Sequence, residues 1–459
     1  MAKTKVKRKP NFKEYLSTCT SVYHTTLNPR EPGVVRIHLV PPVDPKPRSP
    51  WVAIINGYSV IPLQSAWGVI TRIFIERINR FSGKPMDGKD FARVMDSTVL
   101  QAREIFRGAR KEDIEKDVAD ILRTFRDLAI GKEPSEKIGY MTLAKYARHM
   151  KAPHRMDLMI SAITKNGAWH CNRRCLHCYA ADQPYSEVNE LSTEQWKRAI
   201  DACKKAGIPA ITFTGGEPTM RSDLVELVDY SQWFVTRLNT NGALLTRELC
   251  DKLAKASLDS VQITLYSADE QVHNTLVGCN GFADTVSGIK NALAAKLDVS
   301  VNTPLCSVNR DYEQTVKFLL RLGVRYFSCS GLIPAGNAEK DGSAATRLSK
   351  EEITEIVKKA AKVVYAGGGE ISFTSPGWID DSVFKELKTP VPSCGACLSN
   401  MAIAPDGTVV PCQSWLTGKP LGNILDDDWK KIWNGAACRK IRKTACKKEK
   451  TCLLKEKVL

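Results

Sequence analysis

No run of about 18 uncharged apolar residues occurs in this 459-residue chain, so nothing in it reads as a membrane-spanning helix. Low-complexity tracts are missing too, and 43% hydrophobic residues, 25% charged residues and nine Trp describe a folded globular chain, not a disordered one. The opening Met1-Ala2-Lys3-Thr4-Lys5 leads into polar sequence instead of an apolar signal region, from which a cytoplasmic location is expected. A stripe of aromatics interleaved with basic residues, the mark of a base-stacking surface, is also absent. That counts against nucleic acid as a partner despite a net charge of +17. The charge alone fits an acidic protein partner or plain solubility equally well.

Cysteine is abundant: the chain has 15. In a reducing compartment disulfides are not expected, and clustered cysteines point to a metal or iron–sulfur protein. Two groups stand out, Cys171, Cys175 and Cys178, then Cys394, Cys397 and Cys412. Cys306 and Cys329, on predicted strands, read as core residues.

The organisation read along the chain is α/β. Residues 1–48 are basic and end in the proline-rich Pro41–Pro47, which predicts an irregular arm. Residues 49–132 predict a small α+β, winged-helix-like module. In it Trp51–Ile55 and Tyr58–Leu63 flank Asn56-Gly57 as a hairpin with a two-residue turn, and Ile114, Val118, Ile121, Leu122, Phe125 and Leu128 give a helix one apolar face. Residues 150–345 alternate strand and helix, with strands near 157–163, 210–214, 234–238, 260–266, 298–303 and 325–330. Six βα units predict a curved parallel sheet, a partial (β/α)6 barrel with its chemistry at the C-terminal strand ends. A connecting helix and strand over 346–390 lead to a cysteine-rich extension, 391–459.

After the first predicted strand, Cys171-Asn172-Arg173-Arg174-Cys175-Leu176-His177-Cys178 places three thiols on one loop as C-x3-C-x2-C. Three thiolates on a [4Fe–4S] cluster leave one iron open for a chelating molecule. The competing reading is a structural zinc site with His170 or His177 as the fourth ligand. After the second strand, Gly215-Gly216-Glu217-Pro218 offers backbone free of Cβ atoms beside a carboxylate able to meet an ammonium.

With these two motifs the chain resembles the radical S-adenosylmethionine (radical SAM) superfamily over about residues 155–452. The resemblance implies that Cys171, Cys175 and Cys178 hold a [4Fe–4S] cluster whose open iron chelates S-adenosylmethionine (SAM). Reductive cleavage of SAM then gives a 5′-deoxyadenosyl radical that abstracts hydrogen. It further implies that Gly215, Gly216, Glu217 and Pro218 serve the methionine amino group and that Tyr179 is the aromatic beside the third cysteine. Asn241 and Asn302 correspond to cofactor-flanking strand ends, and Ser267 is a candidate sugar contact or a helix cap.

Cys394-x2-Cys397, Gly407 and Cys412 resemble the start of a SPASM or twitch-like auxiliary-cluster extension, with Asp406-Gly407 as a hairpin turn. The full cysteine series is not there. Cys446-x5-Cys452 survives, so one auxiliary [4Fe–4S] cluster is expected on Cys394, Cys397, Cys412 and one of Cys438, Cys446 or Cys452, with zinc as the competing occupant. The N-terminal module resembles the PqqD type of peptide-recognition element, with Trp51–Ile55 nominated as the peptide-accepting strand beside the 114–128 helix.

The module order resembles sactipeptide and PQQ-type ribosomal-peptide maturases, which implies a precursor or leader peptide and a flavodoxin- or ferredoxin-like electron donor as partners. Alternatives are a small-molecule radical SAM enzyme, acting on a nucleotide or tetrapyrrole precursor, and a non-catalytic iron–sulfur or zinc scaffold. Cys279, after the fourth strand, is either a hydrogen-atom donor to a substrate radical or a core residue.

Overall fold

The structure, a computed structural model, describes residues 11–27, 34–57, 59–81, 86–136, 143–448 and 450–455. It divides into two compact units, Met1–Lys151 and Ala152–Leu459.

Unit 1 is an antiparallel sheet of β1 (Tyr23–Leu27), β2 (Val35–Val40), β3 (Trp51–Ile55) and β4 (Ser59–Leu63) in that order, with helices α1 (Phe12–Ser17), α2 (Ser65–Ile78), α3 (Gly88–Ile105) and α4 (Lys111–Ala129). The expected irregular arm is corrected here. Residues 1–10 and 28–33 lie outside the described residues, but α1 is fixed by a capping box between Asn11 and Glu14, and β2 buries Ile37 and Leu39. The proline-rich stretch therefore links two strands of one sheet and does not precede the fold. The Asn56-Gly57 turn forms with φ of 50° and 72°, as the residue types require. Pairing of Ile55 with Ser59 makes the connection three residues long, not two.

All five residues of β3 are buried, and β3 pairs with both β2 and β4. An inner strand has no unpaired backbone to offer, so Trp51–Ile55 is not the peptide-accepting strand. The sheet edges are β1 and β4. Pro62 fits an edge, because it lacks an N–H, and Val60 of the same strand is 48% exposed. Ile114, Val118, Ile121 and Phe125 of α4 pack into the unit's core beside Trp51.

Unit 2 is built on a ten-stranded sheet. β5 (Arg155–Ser161) leads into a ribbon of β6 (Thr164–Lys165) and β7 (Ala168–Trp169). Then β8 (Ala210–Gly215), β9 (Val235–Thr240), β10 (Ser260–Thr264), β11 (Asp298–Pro304) and β12 (Tyr326–Ser330) add one after another in parallel to β5. These are the six expected strands, and helices Thr193–Ala206, Arg247–Lys255, Phe282–Ala294 and Tyr312–Leu322 fall where periodicity puts them.

The sheet continues on both sides. β13 (Glu370–Phe373) joins β12 in parallel, and β14 (Asn400–Ile403) pairs in parallel with β5, followed by antiparallel β15 (Thr408–Val410) and β16 (Gly422–Asn423). The cysteine-rich extension thus shares the barrel sheet. Its run Met401–Ala404 is fully buried, as a continuous apolar strand in a parallel sheet is. The Asp406-Gly407 turn forms as expected, with Gly407 at φ 88°. Cys329 lies buried on β12, whereas Cys306 is buried just past the end of β11.

Candidate functional site

The three-cysteine loop runs off β7 and is pinned by backbone bonds to the end of helix Glu270–Val277 and to the turn Gly336–Glu339. Arg174 donates to the Val277 carbonyl at 3.0 Å, Leu176 to that of Leu276 at 2.9 Å, and Asn337 to that of Cys178 at 2.9 Å. Gly336 fits against the loop because a Cβ there would stand 2.5 Å from the carbonyl oxygens of Cys178 and Tyr179. The segment after β12 therefore buttresses the loop.

Cys171, Cys175 and Cys178 line one cavity of about 580 Å³ together with Tyr179, Gly215, Gly216, Glu217, Asn241 and Asn302. Burial is the largest influence on the thiols. It pushes Cys171 up to about 12, and raises Cys175 and Cys178, with neighbouring thiols adding to the first two. The buried core thiols Cys203 and Cys329 are raised in the same way, so the shift reports burial.

Gly215 and Gly216 are required by strand packing. A Cβ on Gly215 would lie 2.3 Å from the Ser161 carbonyl oxygen, and one on Gly216 would lie 2.6 Å from that of Ala162. Glu217, 1% exposed, forms a knot. Its carboxylate accepts from the Thr219 N–H at 3.0 Å, the Thr219 hydroxyl at 2.5 Å, the Thr240 hydroxyl at 2.6 Å and the Asn241 N–H at 2.8 Å. Burial raises its pKa and these four donors counter the rise. Pro218 begins the short turn Pro218–Met220 that presents Thr219. Asn241 in turn donates its side-chain amide to the Asn172 side-chain oxygen Oδ1 at 2.7 Å, tying the end of β9 to the cysteine loop. Asn302 accepts from the Ser328 hydroxyl at 3.0 Å.

Ser267 is fully buried and its hydroxyl accepts from the Asp269 N–H at 3.1 Å, so it acts as a local turn residue outside the cavity wall. Cys279 also lies outside that wall, where its sulfur accepts from Arg173 at 3.2 Å. Buried polar atoms of Arg173 (Nε), His177 (Nδ1), Thr212 (Oγ1), Asn239 (Oδ1) and Gln413 (Oε1) have no hydrogen-bond partner, and all five residues line this cavity.

The state of His177 follows from its neighbour. The Thr346 hydroxyl donates to the Ser343 carbonyl at 2.7 Å, so at 2.7 Å it accepts from His177 Nε2, which leaves Nδ1 a bare acceptor. Burial holds this imidazole neutral, its pKa lowered to about 4. Unpaired polar atoms inside a pocket are the signature of a hydrogen-bonding ligand's place. Alternation on strands β8 and β9 was the one available signal, since Thr212 and Asn239 point inward from them.

Cys394, Cys412 and Cys452 line the same cavity. Cys397 pairs with Cys438, the buried thiol of helix Ala436–Lys447, and also feels Cys412. The Cys397 contact, and after it Arg442, which donates to the Cys438 sulfur at 3.4 Å, lower the Cys438 pKa. Cys446 is half-buried on the same helix, off the cavity wall. Among the described residues no three His, Cys, Asp or Glu side chains converge on the place of a single ion. A zinc ion needs that convergence, with its sulfurs at about 2.3 Å, whereas a cluster brings its own iron and sulfide to span the gap. The cysteines in both places are a donor set that an iron–sulfur cluster accepts.

Comparison with known proteins agrees with this geometry. Residues 170–319 match the family model described as the Radical SAM superfamily, and residues 394–453 match SPASM, an iron–sulfur cluster-binding domain. The chain is 45% identical over 199 residues to the Fe-coproporphyrin III synthase of Methanosarcina barkeri (strain Fusaro / DSM 804), covering 42% of this chain and 50% of the relative. It is 28% identical over 272 residues to the PqqA peptide cyclase of Streptomyces rochei, covering 57% of this chain and 72% of the relative. Among solved structures, Streptococcus suis SuiB bound to its precursor peptide SuiA matches at TM-score 0.57 and 14% identity, over 85% of this chain and 87% of that one. That is a likeness of fold. The chain spans about half the length of the first curated relatives it matches.

Proposed function

We propose that this chain, which belongs to the radical SAM superfamily and carries a SPASM domain, modifies a ribosomally made precursor peptide by hydrogen abstraction. The observation that carries the reading is the single cavity walled both by Cys171, Cys175 and Cys178 and by Cys394, Cys412 and Cys452. A peptide residue entering between the two cysteine groups would have the radical source and an auxiliary electron relay within one enclosure. A cluster held by the first group would supply the electron that cleaves SAM to a 5′-deoxyadenosyl radical.

The chain's own residues do the rest. The Glu217 knot sets the turn after β8 against the end of β9, Asn241 holds the cysteine loop to that end, and the unpaired His177 Nδ1 offers an acceptor to the bound cofactor. Tyr179 and Asn302 complete the wall.

One auxiliary cluster suits the second cysteine group, with Cys394, Cys412 and Cys452 from the cavity wall and Cys397, which feels the Cys412 charge, as the fourth ligand. Leader binding belongs on a sheet edge of unit 1, β1 or β4, since only an edge can take an added strand. An acidic flavodoxin- or ferredoxin-like donor suits the +17 charge, and a reducing cytoplasm suits oxygen-sensitive clusters. No described helix is long and apolar enough to cross a membrane.

A second reading, a small-molecule enzyme acting on a tetrapyrrole precursor, is favoured by the 45% identity to the Fe-coproporphyrin III synthase. One experiment separates them. Anaerobically reconstituted protein is given SAM, dithionite and either the short peptide encoded beside its gene or an iron coproporphyrin, and products are weighed by mass spectrometry. Peptide mass loss with matching 5′-deoxyadenosine supports the maturase, and turnover of the porphyrin alone overturns it.

A further inference from the structure

The three-cysteine loop carries an arginine between two of its thiols. Arg173 is 8% exposed. Its Nη1 donates to the Cys279 sulfur at 3.2 Å, and its Nη2 to the Gly281 carbonyl and the Asp284 carboxylate, both at 3.4 Å. Space is kept for it, because a Cβ on Gly281 would lie 2.7 Å from the guanidinium carbon. Among the described residues the one carboxylate it meets, that of Asp284, is 59% exposed, so water screens the partner more than it screens the buried cation. Arginine holds its charge at every working pH. Arg173 lines the same cavity as Cys171, Cys175 and Cys178.

We propose that Arg173 is a positioning residue with an electrostatic effect: it clamps the three-cysteine loop to the 277–284 segment, and its buried charge raises the reduction potential of the cluster held there. The inference rests on the reading of Cys171, Cys175 and Cys178 as cluster ligands. Reduction adds one negative charge to the cluster, and a fixed cation in a poorly solvated site stabilises the more negative state. Hydrogen bonding and charge around the sulfurs are the levers by which a protein sets such potentials.

The test uses the full chain, reconstituted anaerobically, as parent, Arg173→Lys, Arg173→Gln and Arg173→Met. The electron paramagnetic resonance signal that responds to added SAM is followed in a redox titration. Arg173→Gln and Arg173→Met are expected to lower the reduced-to-oxidised ratio at fixed poise by about tenfold, a midpoint shift of about 59 mV for one electron. Arg173→Lys keeps the charge and is expected to keep the parent midpoint. The clamp is read separately, as faster iron loss to a chelator in Arg173→Lys and Arg173→Met than in the parent. Equal midpoints in all four proteins overturn the proposal, as does a midpoint that falls in Arg173→Lys as far as in Arg173→Met. If the parent itself binds no cluster, the ligand reading fails first and this inference with it.

Discussion

Replacing Glu217 by Ala removes the acceptor of four hydrogen bonds at a side chain that is almost fully buried. The Thr219 and Thr240 hydroxyls can turn to other acceptors, but the N–H groups of Thr219 and Asn241 are fixed by the backbone. Each buried donor left unsatisfied costs about 1–3 kcal/mol, so the pair costs about 4 kcal/mol at mid-range. Gln in place of Glu keeps one acceptor oxygen for the Thr219 side and sets an NH2 against the Asn241 N–H, at about half that cost. Hydrogen exchange by mass spectrometry on peptides covering 217–242 reads the effect directly. At 1.4 kcal/mol per tenfold, exchange in Glu217→Ala should speed up by about three orders of magnitude, with Glu217→Gln between it and the parent. Exchange unchanged in both variants would refute the knot, and Glu217 would then be free to act solely as a ligand group.

Gly68→Ala should destabilise unit 1 by about 1–3 kcal/mol or more, because the new Cβ would lie 2.4 Å from the buried Trp51 ring; thermal unfolding of the full chain checks it. Cys175→Ala should abolish the SAM-responsive cluster signal, whereas Cys250→Ala, at a fully buried helical position outside the cavity wall, should leave iron content unchanged. Acid should weaken unit 2 through His273. Its Nδ1 accepts the Tyr266 N–H at 3.3 Å and burial lowers its pKa to about 4. Below the unfolded value of about 6.5 the unfolded chain takes a proton that the folded one refuses, so stability falls with pH, by about 2 kcal/mol at pH 5. His273→Gln should flatten that part of a denaturant-midpoint profile between pH 7 and 5, and an unaltered slope would contradict it.

The barrel was legible in the sequence because each of its strands is a short β-rich run between turn residues, and the cysteine loop because its spacing is chemically specific. Hidden strands had different causes. β1 and β2 carry His24, Thr25, Thr26, Arg36 and His38 among their apolar residues, so they read as part of a basic arm. β3 was misjudged although its signal was plain, since five consecutive apolar residues mark an inner strand more than an edge. Gly215 and Gly216 stand out in the sequence as a place for a ligand's approach, and packing against the end of β5 by itself accounts for their lack of a Cβ. Spacing alone could not choose Cys452 over Cys438 and Cys446 as the partner of Cys394 and Cys412, because a short strand and two helices lie between Cys412 and Cys452. Arg173 and the unpaired His177 nitrogen were invisible for a similar reason: their meaning depends on partners more than 100 residues away.

The central claim is that Cys171, Cys175 and Cys178 together make a SAM-cleaving centre inside this cavity. Its most direct test is the amount of 5′-deoxyadenosine released from SAM under dithionite by the reconstituted chain and by the Cys171→Ala, Cys175→Ala and Cys178→Ala variants. The account predicts release by the parent and none above background from any of the three. Equal release by a variant, or none by a parent shown to contain iron and sulfide, would contradict it.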